Sequence, residues 1–383
     1  MNASPLYFDH AATTPVDPAV AAAMADCLGG APGNPSATHA AGRAARERVE
    51  AARAEVAALV GAPPTSIVFT SGATESDNLA ILGAVRAAGR PRHLVTLRTE
   101  HRAVLDPCRR LERDGHRLSL LIPGRDGCID PGAVGAAISA DTALVSVMLV
   151  NNETGVVQDI AAIAAECRRH GTLLHVDAAQ AAGRVPIDVE ALDADLVSLS
   201  AHKIHGPQGV GALYVRRAPR PALAPQLLGG GQEGGLRAGT LAVHQIVGMG
   251  AAYRLARECG AAEAAALGAL RDRLWAGLAT LSGALLNGAA GARAPHILNV
   301  SFEGVDGEAL LASLGDLVVA SGAACGAESG EPSYVLRALG RDDALAQASL
   351  RFSLGRGSIP AGVDAAVAIV LGAIGRLRSL APS

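Results

Sequence analysis

Of the 33 basic side chains in this chain, one is a lysine, Lys203, and the other 32 are arginines. Guanidinium stays charged, whereas an ammonium can shed a proton and act as nucleophile or base. A lysine standing alone among arginines is a candidate for amine chemistry such as Schiff-base formation; chance survival on the surface is the plainer reading. Lys203 closes the run Ser198-Leu199-Ser200-Ala201-His202-Lys203, which places Ser200 and His202 beside the amine. His202 and His205 also have the spacing of a metal pair, but no nearby carboxylate or cysteine completes a ligand set.

Two other motifs offer complementary chemistry. In Thr70-Ser71-Gly72-Ala73-Thr74-Glu75, Gly72 permits a tight turn and the following helix start offers N–H groups and the Thr74 hydroxyl to an anion. The same residues also read as an ordinary helix cap. In His175-Val176-Asp177-Ala178-Ala179-Gln180, Asp177 ends an apolar run, where a carboxylate is costly unless paired. It suits a cationic ring nitrogen, or it caps a helix. Phosphate loop, acid and lysine, in that order and each after a strand, match the needs of pyridoxal 5'-phosphate (PLP). Of the six cysteines, Cys27, Cys108, Cys128, Cys167 and Cys259 read as reduced and mostly buried. None forms a C-x-x-C pair, which argues against a zinc ribbon or a thioredoxin-like site. Cys325 differs: it sits among Ser, Gly and Ala in a loop reaching Pro332, where a thiolate nucleophile would have freedom to move.

The elements that must position these residues follow from periodicity. The chain has 383 residues, half of them hydrophobic and 18% charged, with a net charge of -3. That is enough for two or three domains or one large domain with a satellite, and it excludes wholesale disorder and a nucleic-acid footprint. No apolar run has the length expected of a membrane span, and Met1 to His10 lacks the pattern of a signal peptide, so the expected compartment is the cytoplasm. Ser36–Val60 reads as a helix from apolar residues at spacings of three and four. Seven short runs then read as strands: 67–70, 94–97, 118–122, 143–149, 173–176, 196–199 and 211–215. Helical stretches at 75–88, 103–113, 131–138 and 160–170 separate most of them, which predicts an α/β domain with a mainly parallel sheet and a site at the carboxyl ends of its strands. A long helical stretch over 240–281 carries expected breaks near Gly260 and Gly268. The remainder reads as a smaller α+β domain: strand 297–302, helix 307–314, strand 317–320, a loop to Pro332, helix 333–339, strand 350–353 and helix 361–379.

At this point the chain resembles a cysteine desulfurase of the NifS/IscS type, in the class V aminotransferase family. The resemblance spans nearly the whole length. It rests on Tyr7 to Pro15, Gly33-Asn34-Pro35-Ser36, Thr70 to Asn78, Thr99-Glu100-His101, Val150 to Gly155, His175 to Gln180, and Ala201-His202-Lys203 with Gly206-Pro207. It continues through Gly229 to Glu233, Arg237 to Thr240, Ser321 to Cys325, Glu331 to Leu336, and Arg351 to Arg356. It implies the PLP-dependent transferase fold type I, with a large PLP-binding domain (13–256) built on a mainly parallel seven-stranded sheet. A small α+β domain (1–12 and 257–383) would carry the cysteine loop at 321–332.

By position, the resemblance makes Lys203 the residue that carries PLP, Asp177 the partner of its ring nitrogen, and Gln180 the partner of its ring hydroxyl. His101 would stack on the ring and help move protons. Ala73 (by its backbone), Thr74, Ser200 and His202 would hold the phosphate, with Thr240 reaching that of a neighbouring subunit in a homodimer. Asn152 would lie near the ring hydroxyl and the substrate. Arg351 would grip the substrate carboxylate, assisted by Asn34. Cys325 would take the sulfur of L-cysteine as a persulfide, leave L-alanine, and pass the sulfur to an acceptor such as an iron–sulfur scaffold protein, or toward thiolated tRNA or another cofactor. No resident metal is expected; Cys325 alone is a candidate ligand for an iron–sulfur cluster in transit.

The competing readings are another PLP enzyme of this fold, such as a selenocysteine lyase, a C–S lyase or an aminotransferase, and a scaffold without turnover. Cys325 in its loop separates the desulfurase from the former. The intact set of Lys203, Asp177, His101, Arg351 and Cys325 argues against the latter. Departures from the family pattern are Ala201 for a common glycine, Gly234 for a common arginine, and Gly326-Ala327-Glu328 after the cysteine, where Glu328 reads as a solvated charge or as one that tunes the thiolate or its acceptor. The chain also lacks the C-terminal extension by which the housekeeping branch helps dock its scaffold protein, so that docking mode is not implied.

Overall fold

The computed structural model describes residues 6–30, 32–90, 92–321 and 331–380; Cys325 and Glu328 lie outside them. Strand β1 (Leu6–Tyr7) is followed by helices α1 (Pro18–Gly29) and α2 (Ala40–Leu59). The sequence reading missed α1. Its start signals are present, with the Asp17 side chain accepting from the Ala19 amide and Pro18 at the first turn, but only Val20 is buried, so no apolar stripe marks it. Helix α2 begins four residues later than expected because Asn34 accepts from the Ser36 amide in a turn and His39 caps the helix.

The alternating region then runs β2 (Ile67–Thr70), α3 (Ala73–Ala87), β3 (His93–Leu97), α4 (Arg102–Arg113), β4 (Arg117–Leu121), α5 (Pro131–Ala137), β5 (Thr142–Met148), α6 (Ile160–His170), β6 (Leu173–Asp177), β7 (Leu196–Ser200) and β8 (Gly211–Val215). These seven strands form one sheet in the order β2-β8-β7-β6-β5-β3-β4. Neighbours from β7 to β4 are parallel, while β8 runs antiparallel to both β2 and β7. The end of β2 therefore opens on the same side as the ends of β3, β5, β6 and β7. Alternate residues go to opposite faces. Phe69, Val95, Val147, Val176 and Leu199 join the core under α2, α5, α6 and α7, whereas Val68, Leu94, Leu144, Leu196 and Leu213 join the core under α3 and α4.

Helix α7 (Val243–Leu278) is continuous, so the two expected breaks do not occur. A side chain at Gly260 would come within 3.3 Å of the Gly183 carbonyl. The glycine thus serves a close backbone approach, and packing outweighs its cost of about 1 kcal/mol in a helix. Residues 246–256 of α7 belong to the first core, and Leu267, Leu274 and Leu278 to a third, made by the C-terminal part of the chain together with Phe8.

That part contains β9 (Ala284–Leu286), β10 (Ile297–Phe302), α8 (Gly307–Ala312), β11 (Leu317–Val318), β12 (Ala320–Ser321), α9 (Tyr334–Ala338), α10 (Asp343–Gln347), β13 (Ser349–Ser353) and α11 (Pro360–Leu380). β9 and α10 are additions to the expected pattern. Strands β12-β13-β10-β9 form an antiparallel sheet, and β1 pairs in parallel with β11. Helix α11 is long and apolar enough to cross a membrane, which the sequence reading did not anticipate. Its Val363, Ala366, Val370, Ala373 and Ile374 recur at helical spacing and are buried in the third core, as expected of a covering helix.

Candidate active site

The carboxyl ends of β2, β3, β5, β6 and β7 surround a cavity of about 660 Å³. Ala73, Thr74, His101, Asn152, Asp177, Gln180, Ser200, His202, Lys203 and Arg351 all line it. Asn34 and Thr240 do not; both are exposed, and Asn34 spends its side-chain oxygen on the Ser36 amide. Among the described residues, no group of three or more His, Cys, Asp or Glu is placed to hold a metal ion.

Gly72 stands at the N-cap of α3 and has no side chain to occupy the N–H groups of the first turn. The loop lies directly on Gly211 at the start of β8, where a Cβ would meet the Gly72 Cα and carbonyl carbon at 2.6 Å. Two small residues thereby bring a helix start, with its outward N–H groups and positive end, to the cavity wall. Glu75 clasps the loop from inside the helix: it accepts from the Ser71 amide at 2.7 Å and pairs with Arg237 at 2.9 Å. Arg237 belongs to the glycine-rich segment in which Gly234 and Gly235 both have positive φ, a conformation arginine would adopt at a cost, so glycine at 234 suits its backbone.

Lys203 follows β7 and enters the cavity with its Nζ donating to the carbonyls of Ala11 and Ala12, at 2.5 and 2.7 Å. His202 meets Thr13 Oγ1 at 3.1 Å, and burial, aided by the Lys203 cation, lowers its pKa to about 4. Gln180 donates to the Ala11 carbonyl at 2.8 Å. One short segment, Ala11–Thr13, therefore orders three of the predicted residues.

Asp177 ends β6 and accepts from the Ala179 amide at 2.9 Å. Burial, with the neighbouring Asp77 carboxyl, pushes its pKa up to about 6, so a cation at this point would be welcome. His101 caps α4, its Nδ1 accepting from the Ala103 amide at 3.1 Å. Burial and the Lys203 ammonium hold its pKa below the usual value against the pull of Asp177. The neutral ring therefore carries its proton on Nε2.

Arg351 on β13 is 1% exposed. One terminal nitrogen donates to the Asn152 carbonyl at 2.9 Å and the other to Asp9 at 2.8 Å. Its Nε, Asn152 Oδ1 and Ser200 Oγ are buried polar atoms with no hydrogen-bond partner in the protein. Orphaned donors and acceptors are costly, and several on one cavity wall mark a place for a polar guest. Asp9, Thr13 and Asp77 were not singled out from sequence. Asp9 and Thr13 lie within the quoted Tyr7–Pro15 motif, and Asp77 within Thr70–Asn78, but no spacing distinguishes them as site residues.

The profile of the family described as Aminotransferase class-V matches residues 6–365. The chain belongs to this family, among its cysteine desulfurases. The cysteine desulfurase IscS of Pectobacterium atrosepticum is 55% identical over 382 residues, covering 99% of this chain and 95% of that protein. A solved structure described as a NifS-like protein superposes with a TM-score of 0.90 at 34% identity, over 97% of this chain and 100% of its own. Another, SspA in complex with cysteine, gives 0.82 at 37% identity, over 92% and 99%. The family's enzymes depend on PLP, and the cavity fits it. A helix start and the orphaned Ser200 hydroxyl suit a phosphate, a buried carboxylate suits a pyridinium nitrogen, and the chain's one lysine amine suits an aldehyde.

Proposed function

We propose that this PLP-dependent cysteine desulfurase converts L-cysteine to L-alanine and moves the sulfur onto Cys325 as a persulfide, from which acceptors for iron–sulfur cluster assembly, tRNA thiolation or another cofactor draw it. The observation that carries the reading is the convergence on one cavity of the lysine amine, Asp177, His101 and Arg351, with Ser200 Oγ, Asn152 Oδ1 and Arg351 Nε unpartnered.

When bound, PLP supplies an electron sink that makes the Cα proton of an attached amino acid acidic. Lys203 is the covalent anchor and, once its amine is free, the base that takes that proton; the Ala11 and Ala12 carbonyls orient it. Asp177 would pair with the ring nitrogen, and Gln180 and Asn152 with the ring hydroxyl. His101 would stack on the ring and use its Nε2 proton in transfer. Ala73, Thr74, Ser200 and His202 hold the phosphate, joined by Thr240 from a second copy in a homodimer. Arg351 grips the substrate carboxylate, which would satisfy its unused Nε. The Cys325 thiolate attacks the substrate sulfur. An S–S bond forms as the Cβ–S bond breaks, the electron pair stays with the carbon fragment, and one proton at Cβ with another returned to Cα by Lys203 completes L-alanine. The cytoplasm, which keeps thiols reduced, suits the free Cys27, Cys108, Cys128, Cys167 and Cys259.

The test is product analysis with L-cysteine and a thiol reductant. Alanine and sulfide in equal yield from the wild type, lost in Cys325→Ala, is the expected result. Pyruvate and ammonia, or activity that survives the substitution, would mean a lyase and remove Cys325 from its role.

A further inference from the structure

Behind Asp177 lies a polar row that the reaction above leaves unused. Ser146 on β5, His175 on β6 and Ser198 on β7 share the face that α3 and α4 cover, set off from Val147, Val176 and Leu199 by strand alternation. His175 Nδ1 meets Ser146 Oγ at 2.8 Å and its Nε2 meets Ser198 Oγ at 2.9 Å. Asp177, two residues further along β6, is on the same face and ends the row at the cavity.

Helix α3 lays Asp77 over this row. Its side chain is 1% exposed, lines the cavity and has no hydrogen-bond partner on either oxygen. His175 Nε2 stands 3.5 Å from its Oδ1, and the Ser198 hydroxyl lies close enough to favour its charge. A carboxyl so poorly solvated is expensive, and an apolar residue would fill the place at less cost. The titratable groups that face Asp77 are His175 and Asp177 from β6, Glu100 from the β3–α4 connection and Cys108 from α4. His101 acts on Asp177 from the cavity side. Burial pushes Asp77 up to about 7 and His175 down to about 4, so the imidazole is neutral at the pH where the carboxyl gains its charge.

We propose that Asp77 and His175 act together as a positioning pair behind Asp177, supplying the negative potential that keeps the ring nitrogen of bound PLP protonated. The inference rests on the reading of Asp177 as the partner of that nitrogen. The neutral His175 stands 3.5 Å from Asp77 between it and the strands, and the Asp77 charge adds to that of Asp177 without touching the cofactor.

The test is a pH titration of the 15N chemical shift of the ring nitrogen in labelled PLP bound at Lys203. Removing the Asp77 charge makes the protonated ring nitrogen less favourable. Asp77→Asn should therefore lower the midpoint, by about one unit for a nearby buried charge, with PLP still bound in full. Asp77→Ser makes the same prediction should the asparagine variant not fold. His175→Gln should give a smaller fall and add little on the Asp77→Asn background. An unmoved midpoint in a folded, PLP-loaded Asp77→Asn protein would overturn the proposal, as would fully additive shifts, which would mean two independent residues. Asp177→Asn is the control: if it also leaves the spectrum unchanged, the reading of Asp177 falls and this inference with it.

Discussion

Arg351 is a fully buried cation whose only ionic partner among the described residues is Asp9. Asp9 takes one end of the guanidinium and the Asn152 carbonyl the other, which fixes the plane of the fork before any substrate arrives. A lysine there would keep the charge but lose the planar set of donors. Arg351→Lys is expected to raise KM for L-cysteine about tenfold or more, the loss of a charge-assisted hydrogen bond worth about 1.5–3 kcal/mol, while bound PLP keeps its stoichiometry and spectrum. Steady-state kinetics beside an absorbance scan would check both halves, and a KM within about twofold of wild type would remove Arg351 from carboxylate binding. At this scale the sequence was legible where residue type is itself rare. The sole lysine stood out by count, and Asp177 by sitting at the end of an apolar run. Asp77 was illegible, because an aspartate inside a helix reads as a solvated charge until strands are known to pass beneath it. Asp9 was equally silent, since its partner is 342 positions away.

At the scale of elements, the seven strands of the central sheet emerged with ends shifted by about one residue, because runs buried on both faces are nearly continuous in apolar residues. The antiparallel place of β8 was not foreseen, nor were α1, β9 and α10, whose burial is too slight or whose length is too short to leave a period. Glycine misled most. In α7, Gly260 read as a break and proved to be a contact surface against Gly183. The same logic makes Gly211 a support of the Thr70–Glu75 loop. Its missing side chain is the space in which Gly72 lies, and a Cβ would also come 2.6 Å from the Leu199 carbonyl. Gly211→Ala is expected to displace the loop from β8, with an overpacking cost of about 1–3 kcal/mol and loss of PLP on gel filtration. Gly29→Ala, where a Cβ meets nothing within 4 Å, should leave both melting temperature and PLP content near wild type. Equal behaviour of the two variants would show that the close approach is not what holds the loop.

Across the whole molecule, the large sheet and the C-terminal layer are joined by α7 and by a charged clasp beside it. Glu263 on α7 pairs with Arg184, which follows β6, and with Arg356, which follows β13, the latter at 3.0 Å. Arg356 also pairs with Asp17 at the start of α1. The four side chains thus tie segments far apart in sequence that flank the cavity, on which Arg351 and Lys203 must converge from different layers. Burial works against the charge of Glu263, but the guanidinium groups of Arg184 and Arg356 outweigh it and hold its carboxyl below the usual range. Asp17 is likewise held down: burial opposes its charge, and the Ala19 amide and Arg356 more than compensate. A carboxyl depressed by folding contributes stability that is fully present above its unfolded pKa, about 4.3 for Glu and 3.9 for Asp, and is lost as pH falls through the lower folded value. Melting temperature should therefore be flat for these two groups near neutrality and fall in the acid range below about pH 4.5. Glu263→Gln leaves Arg184, 3% exposed, without its carboxylate, a loss of about 3 kcal/mol for a broken buried pair. It should lower the melting temperature at pH 7 and flatten the acid limb, because the group that titrated there is gone. An acid limb as steep in Glu263→Gln as in the wild type would place the titrating carboxyl elsewhere. If the clasp also sets the meeting of the two layers, the same variant should raise KM for L-cysteine while the pH midpoint of bound PLP stays put, since Arg351 and Lys203 come from different layers.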